Sequence, residues 1–353
     1  MRRETRRVMV GAVPVGGGAP VTVQSMLNVP AADVAGNVAQ ARRLEEAGCE
    51  ILRVSVPAMS NVNLIGAIKE AISIPLVADI HFDYRIALAA AEAGVDKIRL
   101  NPGNIGEDKR VRAVAEICQK HNVPIRIGVN GGSLEKEILR KYGAVCADAL
   151  VESALYHVKI LEELDFMDIV ISIKSSNVVM NVAAYRKLAT LCNYPLHLGV
   201  TEAGTYDAGV VKNAVGIGTL LLDGIGDTIR VSLTDEPEKE VLAGKNILRA
   251  AGHPVRGPQV ISCPTCGRTN IPVAAIANEV ENRLQGRSEQ FTVAVMGCVV
   301  NGIGEGKEAD IGLAGGVDSA VLFVKGKQVR TVRGSYIEEL MYEIDKMCTC
   351  GII

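Results

Sequence analysis

The feature that most constrains the fold is a repeated alternation of strand-like and helix-like segments over the first two thirds of the chain. Eight β-rich runs are separated by alanine-rich amphipathic stretches, such as residues 34–47 and 111–121. Eight strand–helix pairs in succession are typical of a closed (β/α)8 TIM barrel, and an open doubly wound sheet is the alternative. The predicted strands are residues 21–26, 51–56, 75–80, 97–100, 124–129, 169–173, 196–200 and 228–233.

Polar side chains gather at the carboxyl ends of these predicted strands, where a barrel of this type has its active site. Five of them are cations on five different strands, although the whole chain carries a net charge of −2. A single arginine there could pair with a loop carboxylate, but five cations at one mouth repel each other unless an anion neutralises them. Arginine matches phosphate oxygens bidentately, so the sequence predicts a polyanionic ligand such as a diphosphate. The residues at the strand ends are Arg53, Asp79, His81, Arg99, Asn101, Arg126, Asn130, Lys174, Glu202, Arg230 and Ser232.

A glycine- and proline-rich linker at residues 252–258 separates a predicted barrel domain, residues 1–251, from a smaller one, residues 259–353. The pattern of the smaller domain predicts an α+β module in which two cysteine-bearing loops each follow a strand. The first loop carries a Cys-x-x-Cys pair, Cys263 and Cys266, and the second is glycine-rich and carries Cys298 and Glu305.

Three thiols and one carboxylate on these loops could complete a four-ligand shell around a metal or a cluster. Thiolates are soft ligands that suit zinc or iron–sulfur, whereas a carboxylate is harder and more easily displaced. A structural zinc site is the alternative interpretation. Cys348 and Cys350, close to the end of the sequence, are rivals to Glu305 as the fourth ligand.

Composition and charge disfavour several classes of function. The chain is 48% hydrophobic, which supplies the core of a soluble globular protein, and we recognise neither a signal peptide nor a membrane span. We therefore expect a cytoplasmic protein whose nine cysteines are reduced. The net charge gives no general attraction to nucleic acid, and the few aromatic residues after the linker disfavour an RNA-binding zinc module.

Seven motifs distributed over the two predicted domains are Val23-Gln24-Ser25-Met26, Ala78-Asp79-Ile80-His81-Phe82, Ile98-Arg99-Leu100-Asn101-Pro102-Gly103-Asn104, Ile125-Arg126-Ile127-Gly128-Val129-Asn130, Leu198-Gly199-Val200-Thr201-Glu202-Ala203-Gly204, Ser262-Cys263-Pro264-Thr265-Cys266-Gly267-Arg268 and the loop from Cys298 to Glu305. Taken together, these motifs resemble those of the 4-hydroxy-3-methylbut-2-enyl diphosphate synthase family, of the bacterial two-domain type, in the non-mevalonate isoprenoid pathway. The resemblance covers essentially the whole chain. One position departs from it, because Ile303 stands where the family commonly has proline, which affects the stiffness of the loop.

The resemblance implies an iron–sulfur oxidoreductase that acts on 2-C-methyl-D-erythritol 2,4-cyclodiphosphate. The strand-end residues would bind the diphosphate, and Glu202 would donate a proton to the departing hydroxyl group. Two electrons would come from reduced ferredoxin or flavodoxin. A [4Fe–4S] cluster would be held by Cys263, Cys266, Cys298 and Glu305, with Glu305 moving aside for the substrate.

The order of the two domains also predicts a homodimer with shared active sites. In a (β/α)8 barrel the last helix, here residues 237–251, returns the chain to the face opposite the active site. The linker at residues 252–258 spans at most roughly 25 Å even when fully extended. We therefore expect a two-fold, head-to-tail pair in which each cluster domain serves the barrel of the partner.

Overall fold

The computed structural model describes residues 2–81, 83–100, 105 and 108–353, and the side chains of Asp108, Ser133, Asn301, Ile303 and Glu305 fall outside this description. The chain divides into two compact units, residues 1–254 and 255–353. Each unit is described by itself below. Within the described ranges, no helix is both long enough and apolar enough to cross a membrane.

The first unit begins with an antiparallel hairpin of β1 (Arg7–Val10) and β2 (Val13–Gly16), which leads into eight parallel strands. These strands are β3 (Thr22–Met26), β4 (Ile51–Ser55), β5 (Leu76–Asp79), β6 (Lys97–Leu100), β7 (Ile125–Asn130), β8 (Ile169–Lys174), β9 (His197–Leu198) and β10 (Thr228–Ile229). Their order is β8-β7-β6-β5-β4-β3-β10-β9, and a parallel bridge between Ile171 and Leu196 joins the two ends. The predicted TIM barrel is confirmed.

Several helices of the first unit begin at residues whose side chains cap the first turn, and some end at a glycine. Asp33 accepts a hydrogen bond from the backbone N–H of Gly36, and Asn177 does the same for Met180, so that each side chain satisfies a free N–H of the first turn. Gly48, with φ of +84°, ends the turn after the first helix. The helices are α1 (Val34–Glu46), α2 (Asn63–Lys69), α3 (Tyr84–Glu92), α4 (Asp108–His121), α5 (Lys136–Tyr142), α6 (Ala147–Glu162), α7 (Val178–Leu191), α8 (Tyr206–Leu222) and α9 (Pro237–Ala250).

The barrel strands carry buried polar residues at alternate positions, which makes the barrel interior polar. On β7, Ile125, Ile127 and Val129 are fully buried, while Arg126 occupies the intervening position and donates to Ser172 on β8. Because side chains alternate between the two faces of a strand, the apolar set packs on the helices and the polar set faces the interior. Barrels of this type are more often filled with Val, Ile and Leu. The buried polar residues of this alternating set are Thr22, Gln24, Asp79, Lys97, Arg126, Ser172, Lys174, His197 and Thr228. Ser25, which is also buried, lies outside the alternation and donates to Glu240 of α9.

The hairpin closes the barrel at the amino ends of its strands. Val10 and Val15 from the hairpin form one apolar cluster with Ile51 of β4 and Val77 of β5. These four side chains are fully buried. Apolar packing therefore closes the polar interior at the amino ends of the strands. The charged groups lie nearer to the carboxyl ends.

The second unit is a five-stranded mixed sheet with helices. Its strands are β11 (Gln259–Ser262), β12 (Thr292–Met296), β13 (Ile311–Gly316), β14 (Ser319–Val324) and β15 (Lys327–Val332), in that spatial order. The first three are parallel and the last three antiparallel. The helices are α10 (Val273–Leu284), α11 (Val299–Glu305) and α12 (Tyr336–Thr349). The small α+β module is confirmed, but the expected glycine-rich loop after Cys298 is wrong in detail, because this segment forms α11.

Candidate active site

The barrel mouth is organised around Asp79, the last residue of β5. Its Oδ1 accepts a hydrogen bond from Arg99 Nη1 at 3.2 Å, and Arg53 Nη2 lies 3.8 Å from its Oδ2. Burial opposes ionisation of this carboxyl group, but the charges of Arg53 and Arg99 outweigh that effect and hold its pKa at about 2. Asp79 is therefore an anion at neutral pH, and it orients both guanidinium groups.

Arg126 is the most deeply placed cation of the mouth, with 1% of its surface exposed. Its Nη1 donates to Ser172 Oγ at 2.7 Å, but its Nε and Nη2 are buried without a hydrogen-bond partner, as is Nε of Arg99. Burial lowers the pKa of Arg126, and Arg53 and Arg99 lower it further. An unsatisfied buried donor costs about 1–3 kcal/mol, so this arrangement fits a ligand whose anionic oxygens accept from these nitrogens.

Two further cations, Lys174 and Arg230, complete the ring at the ends of β8 and β10. Lys174 is 8% exposed, and burial together with Arg230 and Arg53 lowers its pKa well below its usual value. Arg230 Nη2 lies 3.2 Å from Glu240 on α9, a carboxylate that is 3% exposed and also accepts a hydrogen bond from Ser25 Oγ. The five cations of the mouth thus face only two buried carboxylates among the described residues, which leaves an excess of positive charge.

Two glycines of the recognised motifs make space for these cations. A Cβ atom at Gly128 would lie 2.5 Å from Arg99 Nε, and one at Gly199 would lie 2.9 Å from Lys174 Nζ. Real Cβ atoms do not approach so closely, so a side chain at either position would force the cationic group to shift. The glycines therefore set where the cationic groups can lie.

The remaining predicted residues surround this ring. His81 Nε2 lies 3.9 Å from Asp79 Oδ2, and its side chain is 47% exposed. Asn130 is the register partner of Lys174 at the end of β7. Glu202 is exposed and has a φ of +52°, a left-handed conformation that is strained for a residue other than glycine. Ser232 is half-buried two residues beyond Arg230, and the predicted site residue Asn101 lies outside the described residues.

Sequence reasoning missed a second polar layer deeper in the barrel. Gln24, Lys97 and His197 are each at most 1% exposed. Lys97 precedes Arg99 by two residues, so the period of two along a strand could have identified it as facing the same interior. Glu240 was also missed, because it comes from a helix and no strand-end pattern marks it.

Three of the predicted metal ligands follow neighbouring parallel strands of the second unit. Cys263 directly follows β11, and Cys298 is separated from β12 by Gly297. Because Ser262 of β11 is in register with Val295 of β12, both cysteines lie just beyond the carboxyl ends of two adjacent parallel strands. The backbone N–H of Gly297 donates to Cys263 Sγ at 3.1 Å. Amide donors of this kind stabilise a thiolate or a cluster sulfur, so these residues fit a sulfur-ligated centre.

The acidity of Cys266 differs from that of two cysteines of the barrel. A backbone hydrogen bond from Arg268 lowers the pKa of Cys266, which is exposed, whereas burial raises the pKa of Cys49 and Cys118 to about 12. The thiolate is the form that binds metals, so Cys266 suits that role and the two barrel cysteines suit packing. Among the described side chains, no three His, Cys, Asp or Glu groups are gathered as a metal site, and that of Glu305 falls outside this set.

A closed (β/α)8 barrel with a cationic mouth, followed by a domain with cysteines at the ends of parallel strands, defines a class of two-domain barrel protein. The family described as GcpE TIM-barrel domain matches residues 5–245, and the family described as GcpE protein C-terminal domain matches residues 259–346. The chain belongs to the GcpE family, which is a family of enzymes.

Curated relatives match this chain over nearly its full length. A protein of Clostridium acetobutylicum named 4-hydroxy-3-methylbut-2-en-1-yl diphosphate synthase (flavodoxin) is 55% identical over 98% of this chain and 99% of its own. One of Caldanaerobacter subterraneus with the same name is 55% identical over 98% of both chains. These matches confirm the predicted family. A dihydropteroate synthase structure from Stenotrophomonas maltophilia, 14% identical with a TM-score of 0.50 over 67% of this chain and 95% of its own, shares the barrel fold alone.

Proposed function

We propose that this enzyme converts 2-C-methyl-D-erythritol 2,4-cyclodiphosphate into 4-hydroxy-3-methylbut-2-enyl diphosphate in isoprenoid biosynthesis. Two carbon–oxygen bonds break, a carbon–carbon double bond forms, and the hydroxyl group leaves as water, with two electrons and one proton consumed. The names of the curated relatives support the product. The observation that carries the proposal for this chain is the set of buried, unpartnered guanidinium nitrogens at the barrel mouth.

The cations of the mouth would bind the diphosphate and stabilise it as the ring opens. Ring opening turns a bridging phosphate ester into a terminal phosphate, which adds one negative charge to the ligand. Arg126 and Lys174 are already fixed in a water-poor interior, where they interact strongly with a charge that develops during the reaction. Asp79 would hold Arg53 and Arg99 in place throughout.

Glu202 would give the proton that lets the hydroxyl group depart as water. It follows β9 at the same end of the barrel as the cations, and its backbone adopts a left-handed conformation at a cost in strain. Asp165, another exposed carboxylate of the barrel, has a similar φ of +57° but precedes β8, at the opposite end. The position of Glu202 beside the cations, together with its strained backbone, therefore supports it as the proton donor.

Cys263, Cys266, Cys298 and Glu305 would hold a [4Fe–4S] cluster in the second unit. When bound, such a cluster supplies the two electrons in single-electron steps. The relatives carry flavodoxin in their names, so we propose reduced flavodoxin as the electron donor, with ferredoxin as the alternative. Glu305 would be the displaceable fourth ligand, because a carboxylate binds iron less firmly than a thiolate.

We further propose a homodimer with shared active sites. Helix α9 follows β10 and runs back toward the amino ends of the strands, so it ends at the face opposite the mouth. The predicted linker of residues 252–258 spans at most roughly 25 Å. A partner chain related by a two-fold axis would bring its own cysteines to the mouth without a long connection.

The deciding experiment is anaerobic purification followed by metal analysis and turnover. The protein should contain iron and acid-labile sulfide, and with reduced flavodoxin it should convert the cyclic diphosphate to a product with the mass of 4-hydroxy-3-methylbut-2-enyl diphosphate. The alternative, a barrel enzyme for another phosphorylated substrate with a structural zinc domain, predicts stoichiometric zinc and no conversion. Zinc in place of iron after cluster-assembly conditions would reject the proposal.

A further inference from the structure

Beneath the cationic ring lies a layer of three polar side chains, Gln24, Lys97 and His197, which we call the barrel floor. Each is at most 1% exposed. Nζ of Lys97, both ring nitrogens of His197 and both polar atoms of the Gln24 amide are buried without a hydrogen-bond partner. Oγ1 of Thr22 and Oγ1 of Thr228, on β3 and β10, have no partner either. Buried polar groups are normally hydrogen-bonded, so this group of exceptions calls for an explanation that the mouth alone does not give.

The position of Lys97 connects the floor to the anion site. Lys97 lies two residues before Arg99 on β6, so both side chains leave the same face of the strand, with Cα atoms about 7 Å apart in depth. Val77, its register partner on β5, packs against the hairpin that closes the barrel. The amine is thus sealed from below and lies directly under the groups that would hold the ligand.

The electrostatic surroundings of Lys97 disfavour its charged form. Burial lowers its pKa well below the usual value, and its neighbours Arg126 and Arg53 lower it further. Both of these neighbours are cations. The carboxylate of Asp79 already pairs with Arg53 and Arg99, so it offsets their repulsion of a charged Lys97 only in part. The same neighbours act on His197, whose pKa burial and Arg126 also lower. The charged or titratable groups of this layer and of the ring above it are Arg53, Asp79, Arg99, Arg126, Lys174, His197, Arg230 and Glu240.

We propose that Lys97 is the proton acceptor of the anion site, neutral in the ligand-free protein and protonated when a diphosphate ester enters the mouth. Two negative charges above the floor would offset the repulsion from Arg126 and Arg53, so the ammonium form becomes favourable where it was costly before. Ligand binding and proton uptake are then one coupled event inside the barrel. This inference rests on the proposed function, because it requires a diphosphate at the mouth.

Isothermal titration calorimetry in buffers of different ionisation enthalpy measures the coupling directly. The holoenzyme is titrated at pH 7 with 2-C-methyl-D-erythritol 2,4-cyclodiphosphate, without reductant so that no turnover occurs, and separately with inorganic diphosphate. The wild type should take up protons on binding, and Lys97→Met should take up close to one fewer. Lys97→Met should still fold, because a methionine chain of similar length replaces an unpartnered buried amine. Lys97→Gln is a second variant with the same expected loss.

The controls separate this inference from the function on which it rests. Lys212→Met, at an exposed position on α8, should keep the wild-type proton count. An unchanged count in both Lys97 variants would overturn the proposal while leaving the anion site intact. So would loss of the uptake in His197→Asn with retention in Lys97→Met, because the acceptor would then be the histidine. If neither ligand binds the wild type, the anion site and this inference fall together.

Discussion

Replacement of Arg126 by methionine should change ligand affinity and protein stability in opposite directions. The substitution removes the Nε and Nη2 donors that lack protein partners, together with one hydrogen bond to Ser172. Each hydrogen bond to a charged group contributes about 1.5–3 kcal/mol, so the loss of even one of the two to the ligand raises the Kd of the cyclic diphosphate by about 10- to 150-fold. Arg126 is 1% exposed, so solvent screens this loss little.

The ligand-free variant should be more stable than the wild type. Each buried donor without a partner costs about 1–3 kcal/mol, and the lost bond to Ser172 returns only about 1 kcal/mol of that gain. Removing the guanidinium should therefore raise the melting temperature of the ligand-free holoenzyme by a few degrees. Such a gain is characteristic of a residue retained for binding at the expense of stability.

Two measurements on the same preparations test this reasoning. Calorimetry gives the Kd, and circular dichroism in the absence of ligand gives the melting temperature, while an unaltered cluster spectrum shows that the second unit is intact. Arg43→Met is the matched control, since Arg43 is exposed and pairs with Glu238 at 2.9 Å on the outside of the barrel. It should change both quantities little. A variant of Arg126 that binds the ligand normally and melts at a lower temperature would show a purely structural role.

Four further predictions concern other parts of the site. Glu202→Gln should lower kcat more than it weakens substrate affinity, and an equal fall in both would contradict its role as proton donor. Glu305→Ala should lose iron during purification whereas Cys350→Ser should retain it, and the reverse pattern would reassign the fourth ligand. The pKa of Asp79 is held at about 2, so its ionised form should contribute about 2 kcal/mol to the free energy of unfolding. This contribution is fully present above about pH 4 and is lost as the pH falls through 2. Asp79→Asn should therefore flatten the acid-unfolding profile between these two pH values. Mixing the inactive Glu202→Ala and Cys298→Ser proteins under conditions of subunit exchange should restore activity, because one active site of a mixed dimer would carry neither substitution. If activity does not return after exchange has been demonstrated, each chain uses its own cysteines.

The barrel was predictable because its evidence is local and periodic. Eight apolar runs with helix signals between them can be recognised without any knowledge of contacts, since strands and helices impose periods of two and 3.6 residues. Since the active site of such a barrel lies at the carboxyl ends of its strands, Arg53, Arg99 and Arg126 could then be placed together at one mouth. Family motifs identified the cysteines, but the helical form of residues 299–305 was not predicted, because Gly302 and Gly304 made this segment resemble a loop.

The sequence by itself determined which residues follow each strand, and hence the fold class, the family and most of the candidate site. Only the tertiary structure decided how these residues pair and how deeply they are buried. Glu240 reaches Arg230 from a neighbouring helix, and Lys97 loses its solvent because eight strands and a hairpin close around it. Charge and acidity inside a barrel depend on the distances and dielectric surroundings that closure creates, and neither is encoded in the spacing of residues along the chain.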